Sequence, residues 1–216
     1  MRSPADPAAE LADIDGQART MAAQLGADLA ADAATVRGGI PDAPSPSLQS
    51  YIDHFGLPGP EGSGFLNRIT GVVRPTQETA TSEELQIVSR RFALIARILG
   101  DRIHYACGDA AINLGGGCAD DCTADGFDAF ACRGTSGIGL CPTFWTGYAD
   151  NTARAAVVIH EMFHMVFGVS TPRQIGEVGD ETLRGAGRNF NIAECYESIV
   201  DDVFATDSHV DCPPIP

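Results

Sequence analysis

Asp150-Asn151-Thr152-Ala153-Arg154-Ala155-Ala156-Val157-Val158-Ile159-His160-Glu161-Met162-Phe163-His164-Met165-Val166-Phe167-Gly168 is the stretch that decides the fold. Asp150, Asn151 or Thr152 can cap a helix start, and Gly168 can end one in the left-handed conformation. Between them apolar residues fall on nearly every side, so a buried helix is expected. It carries His160-Glu161-Met162-Phe163-His164, an H-E-x-x-H. Four residues make about one helical turn, so both imidazoles project from one face and can hold a single Zn2+ through ring nitrogens. Glu161 then stands beside the ion without ligating it. From there it can take a proton from water acidified by the metal and pass it to a leaving amine. Two core histidines that happen to be four apart are the alternative. Burying two imidazoles and a carboxylate in an apolar helix is costly unless something compensates, and a metal compensates directly.

A catalytic zinc site normally has three protein ligands and one open position. After His164 the candidates are Glu177, Asp180, Glu181, Glu194, Glu197, Asp201, Asp202, Asp207, Asp211 and His209. A helix from about Asn191 to Ala205 puts Ile192, Tyr196, Ile199 and Val203 on one face. Glu194 and Asp201 lie opposite its apolar arc and read as a solvated face. Glu197 stands at the arc's edge and could look inward, with Asp201 four residues on as its partner. Asp180 is reached through a segment containing Gly and Pro, and Gly179 before it lets the backbone approach a metal closely. On the residues alone the third ligand stays open among these candidates, with Asp180, Glu181 and Glu197 all possible.

Upstream, Leu11, Ile14, Ala18, Met21 and Leu25 recur at helical steps within Pro7 to Arg37. Gly38-Gly39 and Pro41, Pro44 and Pro46 then break the pattern. Residues 1–46 read as a helical arm with a Pro-rich linker, and 47–216 as the catalytic domain. Residues 47–75 read as loops and turns. Thr81 and Glu84 stand at capping-box spacing before Leu85, Val88, Phe92, Ile95 and Leu99, and Gly100 closes that helix. Three β-like runs follow, Arg102 to Ala106, Phe127 to Cys132 and Ile138 to Leu140. The expected fold class is α+β, with a small sheet, the buried H-E-x-x-H helix and a C-terminal helix.

Composition limits the partners. The 216 residues carry a net charge of −15, and all 14 basic residues are Arg. Such a chain repels phosphate backbones and anionic membrane surfaces, which argues against nucleic-acid and membrane partners. No apolar stretch is long enough to span a bilayer, and Met1-Arg2-Ser3-Pro4 lacks a signal peptide's apolar core, so an export signal is expected to be missing or removed. Of the seven Cys, five (Cys107, Cys118, Cys122, Cys132, Cys141) cluster in one loop-rich stretch. Cys118-x-x-x-Cys122 is loose for a zinc knuckle, so at least two disulfides are expected, most within 107–141. Asp120, Asp121, Asp125 and Asp128 lack the spacing of a calcium loop and read as a solvated acidic segment.

Ile103-His104-Tyr105-Ala106-Cys107, then Ile138-Gly139-Leu140-Cys141-Pro142-Thr143-Phe144-Trp145, then the H-E-x-x-H helix and Ala193-Glu194-Cys195-Tyr196-Glu197 together resemble the aspzincins. These are the deuterolysin and peptidyl-Lys metalloendopeptidase group, and the resemblance covers about Ile103 to Phe204. It implies a zincin-like fold, an Asp as third zinc ligand, endopeptidase activity on proteins or peptides, and disulfides. With the clustered Cys it points to a secreted or extracytoplasmic protein. The family sets its ligand Asp in G-T-x-D-x-x-Y-G. Here Gly176-Glu177-Val178-Gly179-Asp180-Glu181-Thr182-Leu183-Arg184-Gly185 keeps Asp180 and a closing Gly but has Leu183 or Arg184 where the Tyr belongs. Arg184 could replace that Tyr as an oxyanion partner. The expectation is a zinc endopeptidase with His160, His164 and Asp180 as ligands and Glu161 as general base. A catalytically silent zincin acting as a binding module, and a glutamate-ligand metallopeptidase, stay open.

Overall fold

The computed structural model describes residues 6–58, 76–100, 103–108, 111–122, 128–168, 190, 192–206 and 212. Helix α1 (Pro7–Val36) starts at Asp6, whose carboxylate accepts from Ala9 N–H, with Pro7 fixing the first turn. Ile14, Ala18, Met21 and Leu25, the periodic residues of the sequence, are buried along it, followed by Leu29 and Val36. They pack on α3 (Gln77–Ile98). Ser89 Oγ donates to Gly26 O (2.6 Å) and Ser82 Oγ to Ala33 O (2.7 Å), so the two helices run antiparallel. A Cβ at Gly26 would sit 3.1 Å from Ala93 N, which is why a glycine stands at this crossing. The helix assigned to an N-terminal arm thus shares one hydrophobic core with the H-E-x-x-H helix.

The second and third helices differ from expectation. Residues read as loop form α2 (Pro46–Phe55), because Ser45 caps Leu48 N–H and Pro46 occupies the first helical position, where proline starts helices. Helix α3 begins at Thr76, five residues before the expected cap. Thr81 lies inside the helix and donates to Gln77 O, and Glu84 accepts the buried Tyr51 hydroxyl at 2.9 Å.

The three β-like runs form one sheet. Strand β1 (His104–Cys107) pairs parallel with β5 (Gly137–Leu140), which pairs antiparallel with β4 (Ala129–Phe130). Phe130 lies opposite Gly139, and its ring occupies the space a side chain there would need. Strands β2 (Ala111–Gly115) and β3 (Cys118–Asp121) make a separate hairpin, so the backbone of Asp120 and Asp121 is strand and not loop. After the short α4 (Pro142–Thr146) come α5 (Asn151–Phe167), the H-E-x-x-H helix, and α6 (Ala193–Phe204). The architecture is mixed α and β, dominated by helices.

Disulfides join Cys118 to Cys132 and Cys122 to Cys141, so Cys118 and Cys122 serve two different bridges and leave no zinc knuckle. A third joins Cys195 to Cys212, and Cys107 is the exposed free thiol among the described residues. Three bridges fit an oxidising, extracytoplasmic environment. No helix among the described residues is long and apolar enough to cross a membrane.

Candidate metal centre

Helix α5 is fixed at both ends. Asp150 Oδ1 accepts from Thr152 N–H (2.9 Å) and Ala153 N–H (3.0 Å). Gly168 ends the helix at φ 63°, and its N–H donates to His164 O. The Arg154 guanidinium donates to the carbonyls of Phe144, Trp145 and Tyr148 and to Glu10 of α1, tying the preceding loop and the first helix to this one. Phe163 stacks on Tyr196 of α6 with ring centroids 3.9 Å apart and meets Phe92 of α3 edge-on. That aromatic contact sets which side of α6 faces the histidines.

As the spacing predicts, His160 and His164 share one face, and their Nε2 atoms lie 2.9 Å apart. Glu161 is 5% exposed; it accepts from the Ala131 backbone N–H, while its Oε2 is buried without a hydrogen-bond partner. From α6, Glu197 is 1% exposed and brings Oε2 to 2.7 Å from His160 Nδ1, at ion-pair distance though not in hydrogen-bond alignment. Its Oε1 and the Oε2 of Glu194 are likewise buried without a hydrogen-bond partner. Glu194 and Glu197 are three residues apart, hence neighbours on one side of their helix.

The electrostatics follow from this crowding. Burial alone would lower the His160 pKa, but the charge of Glu197, with Glu161 and Glu194 behind it, lifts it to about 9. Burial raises Glu161 to about 7 against the opposing pull of His160. Glu194 is raised by burial as well. Tyr148, at the start of the loop into α5, donates to Asp128 Oδ2 (2.6 Å), and burial followed by the field of Asp128, Glu197 and Glu161 raises its pKa. Three carboxylates thus act on the His160 imidazole, and no ion pair from Arg reaches Glu161, Glu194 or Glu197 among the described residues. Excess buried acceptors of this kind suit a divalent cation. Among the described residues no three His, Cys, Asp or Glu side chains converge on one point that could hold a metal ion.

The structure therefore brings together His160, Glu161 and His164 and adds Glu197, the inward-looking rival of the sequence reading. Glu194 is a correction: the expected solvated carboxylate has a buried oxygen. Asp201, expected as a possible partner of Glu197, accepts from Thr206 Oγ1. Asp180, Glu177, Glu181, Leu183, Arg184, Asp207, His209 and Asp211 lie outside the described residues. Comparisons with protein-family models, curated proteins and solved structures give no match to this chain.

Proposed function

We propose that this chain is a secreted zinc-dependent endopeptidase with a zincin-like, aspzincin-type fold, acting on protein or peptide substrates. The observation that carries the reading is the pair of imidazole Nε2 atoms 2.9 Å apart on one helix face, beside buried carboxylate oxygens that lack partners. His160 and His164 would hold the metal, and the third ligand proposed from the resemblance is Asp180. The buried, unpartnered oxygen of Glu194 favours a second reading, in which a glutamate from α6 completes the site.

Bound Zn2+ supplies a Lewis acid that polarises a carbonyl and acidifies water. The chain's own residues supply the proton path. Glu161 is held through one oxygen by the Ala131 N–H and keeps Oε2 free to take a proton from the attacking water and return it to the departing amine. The apolar packing of α5 around this carboxylate excludes competing solvent. Cleavage of an unfolded protein should be abolished by a chelator, restored by zinc, and reduced about 100-fold or more in Glu161→Gln with zinc retained. Zinc binding without any cleavage in the wild type would instead identify a silent binding module.

A further inference from the structure

We propose that Glu197 is a positioning residue: its carboxylate holds the His160 ring through Nδ1, so that Nε2 faces the Nε2 of His164, and it is not itself a metal ligand. This inference rests on the zinc reading above and deepens it. The two nitrogens of an imidazole point to different sides of the ring, and a carboxylate seated against Nδ1 cannot share an ion with Nε2 of the same ring. Glu197 Oε2 lies on the Nδ1 side at 2.7 Å, whereas the approach to His164 is through Nε2. Such a carboxylate fixes the tautomer and orientation of a ligating histidine and raises its basicity.

The carboxylate has the rigidity this role requires. It is 1% exposed, so solvation does not explain its position. The residues beside it in α6 are fixed independently: Tyr196 is stacked on Phe163 and packed edge-on against Phe55, and Cys195 is bridged to Cys212. With its immediate neighbour and the preceding residue fixed, Glu197 has little freedom to leave His160. A simple ion pair joining two helices would use the same contact, so the test must read the metal and the ring as well as the fold.

The experiment compares the full chain with Glu197→Ala and Glu197→Gln. Zinc affinity is measured by competition with a chromophoric chelator, Co2+ absorption reports the ligand set, and circular dichroism checks the fold. Glu197→Ala should weaken zinc about 10- to 100-fold while the Co2+ bands keep their positions. Glu197→Gln keeps the volume and an acceptor oxygen, so its loss should be smaller, and it serves if the Ala variant does not fold. Unchanged affinity in a folded Glu197→Ala overturns the proposal. So does a changed Co2+ spectrum, which would make Glu197 a ligand. If the wild type binds no zinc, the metal reading fails separately, and nitrogen NMR of the His160 ring in the metal-free chain still decides the orientation. A proton kept on Nδ1 in the wild type and released in Glu197→Gln or Glu197→Ala supports it, and a neutral ring protonated only on Nε2 overturns it.

Discussion

Cys107 shows how local surroundings set the chemistry of one residue. It is exposed, lies outside the three disulfides, and has its thiol pKa raised by partial burial. The thiolate is the reactive form, so alkylation of the native protein should be slow at neutral pH and still accelerating as pH passes the usual thiol value of 9.0. A plateau below that value, read from the iodoacetamide rate, would contradict this. At the same scale, His160, Glu161 and His164 were legible in sequence because their spacing equals one helical turn. Glu194 was not legible. A helical wheel separates apolar from polar sides, but it cannot show that the polar side of one helix is buried against the histidines of another.

Helix caps were the most readable feature among the elements, and proline was the most ambiguous. Asp150 and Gly168 bound α5 as expected, because each end needs a particular chemistry. The same Ser45-Pro46 that interrupts one helix begins the next, since proline lacks only an N–H that the first turn does not use. The strands of the small sheet were visible as β-like runs, whereas the β2–β3 hairpin was hidden by its acidic residues and its three consecutive glycines. Removing the cap of the H-E-x-x-H helix should matter out of proportion to its exposure. Asp150→Ala loses two hydrogen bonds to the first turn and should cost about 0.5–2 kcal/mol, measured by urea unfolding. No loss of stability would mean that the helix start is held by Arg154 and its carbonyl partners alone.

At the scale of the whole molecule, the chain is integrated from its first helix. Ile14, Leu25 and Leu29 of α1 are fully buried in the same core as Phe92, Phe163 and Tyr196. Periodicity revealed that α1 is amphipathic, but sequence alone could not say which surface it covers. Leu25→Ala should therefore destabilise the entire protein by about 2–5 kcal/mol and lower zinc retention on heating along with it. A separable arm would leave both unchanged. The central claim, that two histidines one turn apart are a metal site, is tested most directly by titrating zinc into the metal-free full chain against a competing chelator. The account predicts one zinc per chain in the wild type and in Glu161→Gln, and no comparable binding in His160→Ala or His164→Ala. Wild-type protein without zinc affinity, or His164→Ala binding zinc as tightly as the wild type, would contradict it.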